Sequence, residues 1–257
     1  MTALYALHPV VVLLGAVTLA VALACAGHVA VRRAFPRTDF RAHNEVGGIV
    51  LGVTGGLFAV MLAFIVAIVW QESDAAKQRV AVEAGAATDL WHTSQGLPPP
   101  LGPQVRKNLS EYAYAMVHDE WPAMRSGGSS KHAEDVLTRT FEGVVRFKPG
   151  DIGAGNAQAA SLQYLGILHD ARHHRLDENG SGVSPFEWTI LVIGAIVVIG
   201  ICYLVGLQNL RTQLLMTGAV AALIAATFVL VFELDYPFRG DLSISPGGWQ
   251  EFLDRSP

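Results

Sequence analysis

Four uncharged apolar runs, each long enough to cross a bilayer, constrain this chain more than anything else in it. Residues 10–31, 47–70, 188–207 and 214–232 hold no Asp, Glu, Lys or Arg. At 1.5 Å per residue, roughly 20 helical residues cover a hydrocarbon core of ~30 Å. Lipid offers the backbone no hydrogen bonds, so a run of this kind spans as a helix, which satisfies its own amides. Composition agrees: 51% of the 257 residues are hydrophobic and 16% are charged, with a mean hydropathy of +0.37. That balance excludes a disordered chain and an ordinary soluble enzyme. Run 10–31 exceeds the roughly 7–15 apolar residues of a signal peptide, and no basic residue precedes it, so it reads as a retained anchor.

The runs form two hairpins with short links, which predicts an all-α integral membrane protein of four spans with a helical domain inserted between spans 2 and 3. The divisions are 1–70 for the first hairpin, 71–186 for the extramembrane domain, 187–234 for the second hairpin and 235–257 for a C-terminal tail. Arg32, Arg33, Arg37 and Arg41 crowd one short link, and Arg211 lies in the other. By the positive-inside rule those links face the cytoplasm of a multi-pass cell-membrane protein, which puts the central domain and both termini outside. Lys77, Arg79, Arg172 and Arg175, near the ends of the central domain, pull the other way.

Within the central domain the apolar spacing is helical. Ala76, Val80, Ala84, Ala87 and Trp91 recur at steps of four and three, so span 2 is predicted to run on as one long helix to about Gly96. Pro98, Pro99 and Pro100 break it. A second helix begins near Pro103, buries Val105, Leu109, Tyr112 and Met116, and is predicted to stop at Pro122. A third covers about 132–146 and buries Leu137, Phe141 and Val144. A fourth ends near Leu176, and residues 179–182 with Pro185 make a turn back to the bilayer.

Little of the sequence carries chemistry. A net charge of −4 and a pI near 6.1 argue against a nucleic-acid partner. Cys25 and Cys202 both lie in apolar runs, with neither disulfide nor zinc spacing. His169 and His173, four apart among Asp170, His174, Asp177 and Glu178, put two imidazoles on one helix face, as a transition metal requires. A hydrated helix face has the same composition, no third ligand is fixed, and no cofactor is expected. Gly48, Gly52 and Gly56 repeat at four-residue steps on span 2, and Gly218, Ala222 and Ala226 do so on span 4. Such stripes let a second helix backbone come close, within the subunit, between subunits or around a pore. The absence of charge at membrane depth disfavours pumps and ion-coupled carriers, whose mechanism uses such groups.

Three segments resemble the bestrophin-like domain family of four-span membrane proteins. They are Leu62-Ala63-Phe64-Ile65 running through Trp70 to Glu83-Ala84; Tyr112 with Glu120-Trp121-Pro122 and Met124; and Leu234-Asp235-Tyr236-Pro237-Phe238-Arg239-Gly240 followed by Ser245-Pro246. The marked family positions are Glu120, Trp121, Pro122, Asp235, Pro237, Phe238 and Gly240. Read locally, Trp121-Pro122 suits a helix end at a membrane surface, and 237–240 suits the turn that closes the last span. Bestrophins proper are pentameric anion channels built around the second span, with an apolar neck and a cytosolic helical domain. The resemblance therefore implies a homo-oligomer in the lipid bilayer that passes a small anion and is not an enzyme. This chain departs from bestrophins in its apolar 64–70 segment, in lacking an acidic run like their calcium clasp, and in its arginine-based orientation. Two other functions compete: a non-conducting membrane-anchored module for partner binding or stress sensing, and, third, a metal-dependent membrane enzyme built on His169 and His173.

Overall fold

The computed structural model describes residues 8–38, 40, 44–180, 182–206, 209–240 and 243–256, and among these every regular element is helical. Four helices are long and apolar enough to cross a membrane: α1 (Pro9–Ala34), α2 (Asn44–Thr93), α7 (Pro185–Leu204) and α8 (Leu210–Asp235). The chain divides into two compact units, with boundaries inside α2 between Glu72 and Ser73, at 182–183 and at 235–236.

The first unit holds α1, the apolar stretch of α2, α7 and α8. Local chemistry starts and stops these helices. Pro9 opens α1 behind the His8 side chain, which accepts from the Val10 amide, and Arg32 and Arg33 occupy its last turn, where cations suit the helix dipole. Ser184 and Glu187 make a reciprocal capping box on α7 with Pro185 at the first turn. Close packing falls on glycines. A Cβ on Gly218 would meet Val21 at 3.3 Å and Cys25 at 3.7 Å, and one on Gly194 would meet the Phe58 ring at 2.5 Å. The stripe at Gly218 thus seats α1 against α8 within one subunit. Phe58, Leu62, Leu191, Ala195, Val198 and Ile224 form the unit's core.

Both short links are tied together at one end of this unit. Arg32 donates to the Val205 carbonyl (3.1 Å) and Gln213 Oε1 (2.8 Å) and lies 4.2 Å over the Phe40 ring. The Asn44 amide brackets Gly206, donating to its carbonyl at 2.6 Å and accepting from its amide at 2.8 Å. Arg33, Arg37 and Arg211 are exposed; Arg41 lies outside the described residues.

The second unit collects the rest of α2, a 3-10 turn (Ser94–Gly96), α3 (Leu101–Ala115), a π-helical turn (Met116–Glu120), α4 (Trp121–Met124), α5 (Lys131–Arg146), α6 (Ile152–Gly180) and α9 (Gly247–Arg255). The expected stripes line one core: Ala76, Val80, Ala84 and Ala87 on α2, with Val105, Leu109 and Tyr112 on α3 and Met116 at the start of the π turn, are buried, and Trp91 is partly buried against them. Four details differ from expectation. Pro122 does not end the second helix, because the chain widens into the π turn just before it, and Pro122 then occupies the first turn of α4. A wide turn accommodates a residue that lacks an N–H and would crowd the carbonyl four residues back. Phe141 is 38% exposed, whereas Leu137 and Val144 on the same helix are buried. Helix α6 passes Leu176 and continues to Gly180, so Asn179 is helical and buried. Finally, residues after Asp235 form more than a tail. Helix α9 sends Trp249 and Phe252 into the core, with the Trp249 ring edge-on to Tyr112 at 5.3 Å.

Candidate functional site

In the first unit the membrane stretch of α2 carries no charge and is largely exposed. Val53, Leu57, Val60 and Phe64 are 56–69% exposed, and Gly48, Gly52 and Gly56 are also exposed. A Cβ added at any of these three glycines would meet nothing within 4 Å. Among the described residues, then, nothing packs against the glycine stripe. Beside it, Gly55, Ala59, Ala63 and Ala67 of α2 line an apolar groove of about 670 Å³, walled on the far side by Val220, Leu223, Ile224 and Thr227 of α8. A glycine in a helix interior costs about 1 kcal/mol relative to alanine, and lipid tails give no return for a bare backbone. A close neighbouring backbone does.

The second unit is organised around buried charge. Glu83 of α2, Glu120 of the π turn and Arg175 of α6 are wholly buried, and Arg172 is nearly so. Arg175 grips Glu83 with two donors, Nε at 2.7 Å and Nη2 at 3.1 Å, and Nη2 also reaches Glu120 at 3.1 Å. Its remaining faces meet the Met124 sulfur at 2.6 Å and the Trp121 ring at 5.0 Å. Arg172 bonds both oxygens of Glu120 at 3.2 Å, the Ser130 carbonyl at 3.2 Å, and Glu134. Glu120 further accepts from the Ser130 amide at 2.6 Å, and Glu83 from the Tyr112 hydroxyl at 3.1 Å. Burial works against the Arg175 charge, but the Glu83 carboxylate outweighs it and raises the pKa above the ordinary arginine value. Burial, reinforced by Glu83, holds the Tyr112 phenol well above its usual range. Both carboxylates are saturated with donors. This cluster fastens α2, α3, the π turn, α5 and α6 together and leaves no group free for acid–base work.

The family-motif residues serve the same unit or the end of α8. Trp121 is buried; its indole N–H donates to the Ile244 carbonyl at 2.8 Å, and its ring meets Phe238 edge-on at 6.1 Å. This is a core position of the second unit and not the helix end at a membrane surface that the sequence suggested. Pro237 accepts at its carbonyl from the Ile244 amide at 2.8 Å, Phe238 is buried, and Gly240 takes a φ of +75°, which only glycine adopts freely. Arg239 stacks on Tyr236 and donates to the Asn179 carbonyl at 2.9 Å. Asp235 caps its own unit by accepting from the Val183 amide at 2.5 Å. His169 and His173 stand on an exposed face of α6, with His173 against Asp177 at 3.3 Å. No group of three or more possible metal ligands gathers among the described residues.

Sequence reasoning missed Glu83, Arg172 and Arg175 as members of a site. A signal was there. Glu83 interrupts the stripe Ala76-Val80-Ala84-Ala87, and Arg172 and Arg175 sit four and seven residues beyond Leu168 on the buried face of α6. A charge on an apolar stripe needs a partner. Their pairing across 92 residues is not encoded locally.

Comparison with known proteins places this architecture. A bacterial bestrophin homologue from Klebsiella pneumoniae superposes with a TM-score of 0.70 at 13% identity, covering 95% of this chain and 96% of that one. A mutated form of that homologue gives 0.71 at 12% identity, covering 93% and 97%. At such identities the likeness speaks for the fold. No curated protein matches the chain. The Bestrophin-like domain matches residues 18–248, nearly the whole length, and this four-span helical membrane protein belongs to the Bestrophin-like family.

Proposed function

We infer that the chain assembles into a homo-oligomer whose α2 helices surround a pore, and that small anions pass it through an apolar constriction. The observation that carries this reading is the exposed, uncharged membrane stretch of α2 with its unpartnered glycine stripe. Close approach at Gly48, Gly52 and Gly56 suits a neighbouring subunit, and the large apolar side chains of Val53, Val60 and Phe64 suit a neck that gates by dewetting. The resemblance to bestrophins supports an anion as the permeant species. In this reading 71–186 is an extramembrane domain, and the arginine-rich links face the cytoplasm.

Gly52→Leu tests the assembly. In an isolated subunit the new side chain enters open space, and the helix gains about 1 kcal/mol from losing a glycine. In an oligomer packed through this stripe the same change separates two backbones. The expected result is loss of the wild-type oligomer in native mass spectrometry of the purified protein, while Leu51→Ala keeps it. A wild-type monomer, or an oligomer unchanged by Gly52→Leu, contradicts the reading and favours the non-conducting module.

A further inference from the structure

The π turn of the second unit carries two acids that face opposite ways. Glu120 points inward to Arg172 and Arg175, and its neighbour Asp119 lies on the surface. There His132, in the first turn of α5, stands between two carboxylates. Its Nδ1 is 3.0 Å from Asp119 Oδ2, and its Nε2 is 3.1 Å from Glu111 Oε1 of α3. Arg139, two turns along α5, donates to the same Glu111 oxygen at 2.9 Å.

Geometry assigns the protonation state here. A neutral imidazole has one N–H and one lone pair. With both ring nitrogens against carboxylate oxygens, the neutral ring would set a lone pair against an anion at one of the two contacts. Only the imidazolium donates to both. The charge balance agrees: Glu111 and Asp119 face one guanidinium when His132 is neutral, and two cations when it is protonated. The start of a helix disfavours a cation, but the two carboxylates stand closer. Hydrogen bonds to Asp119 and then Glu111 raise the His132 pKa, and the bond from His132, foremost, lowers that of Glu111.

The other charged groups nearby are committed elsewhere or lie beside the ring. His118 of the π turn stacks on Tyr114 at 4.0 Å and bonds the Tyr114 carbonyl at 3.0 Å. Glu134 of α5 is taken by Arg172 from α6. Lys131 and Asp135 flank His132 on exposed positions of α5.

We propose that His132, Glu111 and Asp119 form a proton-operated clasp that pins the π turn and α3 to the start of α5. Protonated, it braces from outside the same turn whose inner face presents Glu120 to the buried arginines. Deprotonated, it loses one contact, and α5 is held to the π turn by fewer bonds. A histidine whose folded pKa lies above its unfolded value contributes stability that is fully present below the unfolded pKa of 6.5. That contribution is lost as pH rises through the folded pKa. The clasp is therefore closed in mild acid and opens toward alkaline pH. This inference rests on the second unit alone and is independent of the pore.

The test uses the full-length protein in lipid nanodiscs with isotope-labelled histidine, the His132 resonance being assigned by its absence in His132→Asn. The expected His132 pKa lies above 6.5, and Glu111→Gln with Asp119→Asn moves it down. The thermal midpoint of the wild type should exceed that of His132→Asn at about pH 5.5 and converge on it by about pH 8.5. A His132 pKa at or below 6.5, or a midpoint difference that does not change with pH, overturns the clasp.

Discussion

Replacing Arg175 by methionine removes the one cation that Glu83 and Glu120 share. The cost of such a change comes less from the lost attraction than from the anions left behind. Two carboxylates at zero exposure would keep Arg172 as the only nearby buried cation among the described residues, and Arg172 reaches Glu120 alone of the two. Breaking a buried ion pair by removing one partner costs about 3–5 kcal/mol, and Arg175→Met should fall in that range in chemical denaturation of the purified protein. Adding Glu83→Gln should restore part of the loss, since the orphaned charge is then gone. A single Arg175→Met variant as stable as the wild type would mean that the cluster is hydrated in solution. Lysine is a poor substitute at this position, because a point charge cannot match the two-donor grip on Glu83 or lie flat over Trp121.

Among the elements, α9 is only nine residues long yet docks through two buried aromatic side chains, Trp249 and Phe252. Its Trp249 is fully buried against Tyr112 and Phe252, so Trp249→Ala opens a cavity and should cost about 3–5 kcal/mol. Glu251→Ala on the opposite face removes only an exposed pair with Arg255 and should stay within about 0.5 kcal/mol. Equal effects of the two in thermal or chemical unfolding would show that α9 does not dock. The contrast also shows what the sequence can reveal. Long helices with steady spacing, as in α2 and α3, are legible because many residues repeat one period. Helix α9 is nine residues long and opens with Gly247 and Gly248 behind Pro246, a turn signature that hides the apolar pair Trp249 and Phe252. Phe141 has the right period for the core of α5 but lies at the edge of the buried face, and only packing decides such an edge. The cluster of Glu83, Glu120, Arg172 and Arg175 joins three separate stretches of chain, and no local pattern names its pairs. The glycine stripe of α2 is legible as a row of small residues on one helix face, but what packs on it is not written in the sequence.

At the scale of the whole molecule, orientation and conduction remain as separable consequences. Arginines concentrate in the link between α1 and α2, with Arg33 and Arg37 exposed, and in the proposed orientation, by the positive-inside rule, that side faces the cytoplasm. A cysteine at Ser126, in a chain whose two native cysteines lie in membrane helices, should then react with a membrane-impermeant thiol reagent in intact cells. Protection at Ser126, with labelling of a cysteine at Arg37, would reverse the orientation while leaving the pore reading intact. In the proposed assembly conduction depends instead on a ring of α2 helices, whose uncharged stretch offers no titratable group at membrane depth to drive transport. The most direct measurement is planar-bilayer recording of the purified wild type and Gly52→Leu proteins in asymmetric chloride solutions. The expected result is a wild-type current whose reversal potential follows the chloride gradient and which Gly52→Leu abolishes or alters. A wild-type protein that assembles normally yet passes no current across a range of voltage and salt would contradict the pore.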